Sequence, residues 1–298
     1  MQHQAFLVAA LILGASAQGP NLVAQPAPQQ AARKPNVVLI MMDDLGYGDL
    51  GGYGAPDVRT PNVDRLAREG VRLTDAYANG PVCTPTRAAL ISGRYQQRVG
   101  LEWVLTILPA DRERGLPVTG TSLPALLRAN GYATGLVGKW HLGWRPEFGP
   151  NAHGFDEFYG LLSGARMTTI PAVSALTAGD RSTCTRIRRR SSPPASILAA
   201  TDTRAPEGYR ADGIDILPIL RGEAPLLERH LFWRIARPNR QQRAVRSGRW
   251  KLLVDAGQFL LFDLGDDPGE RIDLAARHPE LVVMLKRLLA EWERDVDQ

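Results

Sequence analysis

Asn36-Val-Val-Leu-Ile-Met-Met42 is a continuous apolar run that stops at two carboxylates, Asp43 and Asp44. Its length and β-branched character predict a strand buried on both faces of a parallel sheet, and no other stretch constrains the fold more. The following residues keep the rhythm. Thr60 as N-cap, Pro61 at the first helical position and Gly70 just past the end predict a helix. Val71 to Tyr77 alternates like a short strand, a second helix begins near Pro85 and stops at Gly93, a third opens at Thr121 or Ser122 and stops at Gly131, and Tyr132 to Val137 returns as a strand. Strand and helix in alternation predict an α/β sandwich with a largely parallel central sheet, whose ligands gather beyond the C-terminal strand ends. Asp43, Asp44, Lys139 and His141 all fall just past such ends.

After Asp212 the pattern changes. Leu231 to Arg234, Gln242 to Val254 with a turn near Ser247-Gly248, and Phe259 to Asp263 read as antiparallel strands. Pro279 opens a terminal helix with Leu281, Leu285, Leu288, Trp292 and Val296 on one apolar stripe. A small C-terminal α+β subdomain is therefore expected over 212–298, joined to the first region, 35–164, by an irregular Arg-rich junction at 165–211.

With 298 residues and 44% hydrophobic content, the chain can bury one large core, or one core and a satellite. Ala5 to Gly14 is apolar but too short to span a bilayer, and Ala15-Ser16-Ala17 supplies the small residues of a cleavage site. This reads as a signal peptide over 1–17, followed by a flexible leader over 18–34, and predicts export to the periplasm or the cell exterior. No later stretch is long and apolar enough to span a membrane. The net charge of +5 is local, because Arg181 to Arg190 holds five arginines and no acid, leaving 31 basic and 31 acidic residues elsewhere. A nucleic-acid partner is not expected, since a binding face needs basic residues spread along a surface.

Gly46-Tyr-Gly48-Asp-Leu-Gly51 satisfies G-x-G-x-x-G after a predicted strand. Two acids precede it, Asp49 sits inside it, and Gly51-Gly-Tyr-Gly-Ala-Pro56 is a poor helix opening, so a dinucleotide site is not expected. Adjacent carboxylates at a strand end repel unless a proton or a cation relieves them, which makes Asp43 and Asp44 candidate ligands of a hard divalent cation. Cys83 falls at the start of the second helix. In a chain with two cysteines it has three readings: a disulfide with Cys184, an inert buried thiol, or a modification site.

Four motifs then converge. Cys83-Thr-Pro-Thr-Arg87 fits Cys-x-Pro-x-Arg, and it lies between Asn36 to Asp49 before it and Gly131 to Gly143, with Lys139-Trp-His141, and Gly154 to Gly160 after it. In this order and spacing the chain resembles the type I sulfatases of the alkaline phosphatase superfamily, closely from Pro35 to about Gly164 and more loosely from about Asp212 onward. The resemblance implies conversion of Cys83 to formylglycine by a formylglycine-generating maturation enzyme. It also implies Ca²⁺ or a similar cation held by Asp43, Asp44 and residue 83. Arg87 would hydrogen-bond the hydrated aldehyde, Lys139 would contact both the diol and the sulfate, and His141 would act as a base. The implied activity is hydrolysis of small-molecule or saccharide sulfate monoesters. A phosphonate or phosphodiester hydrolase of the same superfamily shares this nucleophile and metal logic.

The family draws further groups from the second half of its large domain: an Asp-Asn pair, a leaving-group histidine and another lysine. This chain contains no Asp-Asn dipeptide, and His3, His153, His230 and His278 stand in other contexts. Its interval between Gly160 and Asp212 is also shorter than the family's. An internal deletion or frame error, a non-catalytic anion-binding remnant, and ligands from other positions such as Asp202 or Asp212 are the three explanations.

Overall fold

The computed structural model describes residues 34–164, 186–187, 193–237 and 240–298. The signal peptide, nearly all of the leader, Cys184 and much of the Arg-rich junction lie outside them. In chain order the main elements are α1 (Pro61–Glu69), β1 (Arg72–Leu73), α2 (Cys83–Ser92), α3 (Leu123–Ala129), β2 (Gly135–Lys139), β3 (Glu157–Leu161), β4 (Arg186–Ile187), α4 (Pro193–Ala200), β5 (His230–Arg237), β6 (Arg240–Ser247), β7 (Trp250–Asp255), β8 (Gln258–Asp263) and α5 (Pro279–Val296).

The α/β class holds. β2 and β3 pair in parallel from Gly135↔Glu157 to Lys139↔Leu161, and β1 pairs in parallel with β4. Among the described residues these are two separate two-stranded pieces. Asn36–Met42 departs from expectation: the run belongs to no sheet, and Val38 and Ile40 are 67% and 68% exposed. The apolar pattern was a property of the run alone, whereas a strand also needs a neighbour to complete its ladder. The strand expected over Val71–Tyr77 shrinks to Arg72–Leu73 because the residues beyond are drawn elsewhere. Asp75 takes both guanidinium nitrogens of Arg246 at 2.5 and 2.8 Å, and the Tyr77 ring packs edge-on against Trp233.

α2 begins at Cys83, two residues before Pro85. Proline is tolerated there because the first turn of a helix has no use for its missing N–H. Gly93 ends the helix in the left-handed region at φ 68°, the conformation a glycine adopts without Cβ strain. The inner face of α2 buries Ala88 and Ile91 against Leu101, Leu105, Leu116, Trp140 and Leu142. That core pins Trp140, and with it the two polar residues on either side.

β5 to β8 form one antiparallel sheet in sequence order. Phe232, Val245, Leu252 and Leu261 stand opposite one another across the four strands, and this face packs on Leu285, Leu289, Trp292 and Val296 of α5. The expected stripe is the buried face, with Leu289 added. Leu285 is fully buried, and Leu285→Ala is expected to cost about 2–5 kcal/mol of stability, read from the urea midpoint at unchanged m-value. Arg234 joins this unit to the first region, donating to both carboxylate oxygens of Glu102 at 2.8 Å and to Asp297 at 2.6 and 2.9 Å.

Candidate active site

The run Asn36–Met42, the start of α2 and the end of β2 deliver their polar residues to one place. Asp43 follows the run, Cys83 is the first residue of α2, and Lys139 is the last residue of β2. Lys139 Nζ donates to Asp43 Oδ2 at 2.7 Å and to Cys83 Sγ at 3.1 Å. The thiol lies 3.5 Å from Asp43 Oδ1. Arg87, one turn along α2, places Nη2 3.9 Å from the same carboxylate and donates through Nη1 to the Lys139 carbonyl. Asp44 completes the group at φ 55°, a backbone state uncommon for a residue with a Cβ. Donor atoms of Asp43, Asp44 and Cys83 all lie within 4.8 Å of one another. Cys83 is a free, half-buried thiol.

Charge explains how such a cluster holds together. The hydrogen bond from Lys139 is the main reason Asp43 titrates below the usual carboxylate range, against an opposing desolvation effect. Burial works against the Lys139 ammonium, but its bonds to Asp43 and Cys83 and their charges outweigh it, and its pKa is raised. Burial lowers the Arg87 pKa; an arginine remains charged throughout the working range. Asp43 therefore faces two cations at the opening of a helix, with the thiol and Asp44 beside it.

His141 is placed differently. Its ring is almost fully buried, with Nε2 2.8 Å from the carbonyl oxygen of Leu105, and no hydrogen bond joins it to Cys83 or Asp43. A carbonyl only accepts, so Nε2 carries the proton and Nδ1 carries the lone pair. Nδ1 is buried without a hydrogen-bond partner. Burial, then the charges of Lys139 and Arg87, hold the imidazole pKa below its ordinary value despite the Leu105 bond. His141 is thus a neutral base at neutral pH, held at φ 60°.

Thr84 was not singled out in the sequence. It is fully buried, donates to the His141 carbonyl at 3.0 Å and accepts from Leu105 N at 3.1 Å. One hydroxyl thereby ties the start of α2 to both the His141 turn and the residue that orients the imidazole. Its only sequence signal is its place inside Cys-Thr-Pro-Thr-Arg. Asp212 is committed elsewhere, accepting from Tyr95 N at 2.7 Å and Arg98 Nε at 3.1 Å. Neither Asp202 nor Asp212 joins the three-residue donor cluster.

His153, buried beside Trp140, also has a pKa lowered by burial. An unfolded histidine takes up a proton near pH 6.5, whereas the folded His141 and His153 resist until lower pH. Their stability contribution is present above about pH 6.5 and is lost as pH falls through the folded values. The melting temperature is therefore expected to drop between pH 7.5 and pH 5.5, and His153→Gln to flatten that slope in calorimetric scans.

The family model described as Sulfatase matches residues 35–187. The chain is 44% identical over 155 residues to N-acetylgalactosamine-6-sulfatase of Sus scrofa, covering 50% of this chain and 28% of that protein. It is 50% identical over 133 residues to arylsulfatase A of Bos taurus, covering 44% and 26%. The chain thus spans less than a third of the length of the curated relatives it matches. Its fold is similar to the crystal structure of Ps i-CgsB, at TM-score 0.75 and 20% identity, covering 89% of this chain and 94% of that one. The same protein has also been solved in complex with k-i-k-neocarrahexaose.

Proposed function

Because this chain belongs to the sulfatase family, we propose that it is a hydrolase of sulfate monoesters working through Asp43, Asp44, Cys83, Arg87, Lys139 and His141. One observation carries the reading: Cys83 Sγ stands at the opening of α2 within 3.1 Å of a lysine ammonium and 3.5 Å of a carboxylate. Sulfate is a tetrahedral anion, and Lys139 and Arg87 are the cations placed to receive it, with the helix N-terminus adding oriented N–H groups.

Cys83 is the proposed site of formylglycine formation. In that step the C–S bond breaks, sulfur leaves as hydrogen sulfide, and Cβ is oxidised to an aldehyde. Dioxygen, with two electrons and two protons from a thiol reductant, supplies the aldehyde oxygen and one water. The maturation enzyme is the partner this requires, and export through a signal peptide over 1–17 goes with the same reading. A hydrated aldehyde at position 83 would supply the hydroxyl nucleophile, and a divalent cation would lower the pKa of that hydroxyl.

The residues fit such a cation. Two carboxylates and an oxygen at position 83 form an all-oxygen set suited to Ca²⁺, which takes about six to eight oxygens, so water completes the shell. Lys139 neutralises Asp43 and contacts the atom at position 83. His141 Nδ1 is the lone pair available to take a proton. The acid limb of kcat is therefore expected below pH 6.5, since burial keeps His141 unprotonated to lower pH; a pH–rate profile checks this.

The substrate class follows from relatives rather than from the pocket. N-acetylgalactosamine-6-sulfatase and arylsulfatase A among the relatives support a saccharide or a small-molecule sulfate ester. The test is peptide mass spectrometry for an aldehyde at position 83 after coexpression with a maturation enzyme, together with assay of inorganic sulfate released from galactose 6-sulfate. An unmodified thiol and no release would sink the proposal. A second reading, sulfate binding without turnover, is favoured by the donor count: three residues gather among the described ones, and the chain has no Asp-Asn dipeptide. Sulfate binding that survives Cys83→Ala, with no turnover in the parent chain, would establish it.

A further inference from the structure

The chain reaches Cys83 through residues 75–82, and the C-terminal sheet holds that stretch as far as Ala78. Nη1 and Nη2 of Arg246 donate to the two carboxylate oxygens of Asp75 at 2.5 and 2.8 Å, and Nη1 also donates to the Tyr77 hydroxyl. The same guanidinium stands 5.1 Å from the centre of the Tyr77 ring, which packs edge-on against Trp233. The indole N–H of Trp233 donates to the Ala78 carbonyl at 2.9 Å. In the register of β5 on β6, Trp233 stands opposite Ala244 and Leu231 opposite Arg246, so Trp233 and Arg246 project from one face. That face is turned away from α5. One side of the sheet therefore packs on the terminal helix, and the other grips the approach to Cys83.

The rest of the approach is fastened to the helix it enters. Gln96 Nε2 donates to the Asn79 carbonyl at 3.1 Å, and Thr86 Oγ1 donates to the Gly80 carbonyl at 2.9 Å. Gly80 lies so close to the first turn of α2 that a Cβ there would meet the Pro85 ring at 2.8 Å. Asp75, Tyr77 and Ala78 are thus held by the sheet, Asn79 and Gly80 by α2 and Gln96, and the two sets adjoin in sequence. A shift of the first set is passed directly to the opening of α2.

We propose that Arg246 and Trp233 are positioning residues for residue 83, through which the C-terminal sheet sets where the opening of α2 stands relative to Lys139. Lys139 ends β2 and is bonded to Asp43, so it does not follow the loop, whereas residue 83 does. Loosening the grip changes the distance between them. The consequence for turnover rests on the hydrolase reading above; the placement of Cys83 does not.

Two variants that each remove one part of the grip test this. Arg246→Lys keeps the charge beside a largely buried Asp75 but cannot donate to both of its oxygens at once, and Trp233→Phe keeps the ring against Tyr77 but loses the N–H. Arg234→Lys is the control, because Arg234 ties the same sheet to Glu102 and Asp297 instead of to the loop. In the unmatured full chain, the rate at which iodoacetamide alkylates Cys83, followed on its own peptide by mass spectrometry, is expected to rise about fivefold in both test variants. That is the opening which loss of one hydrogen bond allows, and the control should stay within about twofold of the parent. In the matured chain, kcat for sulfate release from galactose 6-sulfate is expected to fall about tenfold in both, with KM unchanged. A purely structural role would lower the melting temperature and leave kcat of the folded protein alone. An unchanged alkylation rate in both variants, an equal rise in Arg234→Lys, or a raised rate with kcat unchanged overturns the proposal. No sulfate release by the matured parent overturns the hydrolase reading instead, and the alkylation rates then decide the placement of Cys83 by themselves.

Discussion

Cys83→Ala, expressed with a maturation enzyme, is expected to release no sulfate from galactose 6-sulfate, a loss of at least about four orders of magnitude in kcat. The argument is chemical and local. Alanine keeps Cβ but lacks the sulfur through which that carbon is oxidised, so no aldehyde forms at the head of α2, while the rest of the first turn stays in place: Thr84 and Ala88 are fully buried and hold the helix to the core. Cys83→Ser is expected to be equally inactive, because a lone hydroxyl has no second oxygen for His141 to deprotonate. Melting temperatures within a few degrees of the parent would show that chemistry, not folding, was lost. Turnover retained by Cys83→Ala would falsify the assignment of the nucleophile.

Lys139→Ala is the second large effect. Lys139 bonds Asp43 at 2.7 Å and Cys83 at 3.1 Å through one ammonium, so its loss removes the cation proposed to receive sulfate and the bond that ties Asp43 to the end of β2 together. A fall in kcat/KM of about a hundred- to a thousandfold is expected. The Asp43 pKa should rise toward its ordinary value, because the Lys139 hydrogen bond is the largest influence lowering it. Lys139→Arg is not expected to restore activity, since a planar guanidinium cannot occupy the position of a compact ammonium. Unchanged kcat/KM in Lys139→Ala would remove Lys139 from the mechanism.

What could be read from sequence was what is settled locally. The stops at Gly93 and Gly131, the Thr60-Pro61 helix start, the β6–β7 turn and the stripe on α5 all rest on backbone chemistry or periodicity within a few residues. Asp43, Asp44, Cys83 and Lys139 could be singled out because each was expected at the end of an element, and element ends of an α/β fold converge; the structure brings them together although the run before Asp43 is in no sheet. The pairing of Asn36–Met42 was not readable, because a strand's partner lies far away in sequence. His141 could be marked as a candidate base from its motif, but its tautomer depends on Leu105 and its turn on Thr84, contacts 36 and 57 residues away. The Gly46–Gly51 pattern shows the converse. Its neighbours fold into two single 3₁₀ turns, Tyr47–Asp49 and Gly51–Tyr53, and the N–H groups of Gly51 and Gly52 are taken by Thr60 and Asp64 at 2.9 and 2.7 Å. Backbone donors that a nucleotide phosphate would need are spent on the start of α1.

The exposed run also has a cost outside catalysis. Asn36 to Met42 holds no charge, proline or glycine, and its apolar side chains are exposed. That is the composition from which intermolecular cross-β ladders grow. With its side chains exposed, two copies of this chain can pair through the run. Recovery from the cell will therefore depend on protein concentration and on chaperone supply, and a lysine placed at Val38 or Ile40, the most exposed apolar residues of the run, is the change that should keep the protein in solution.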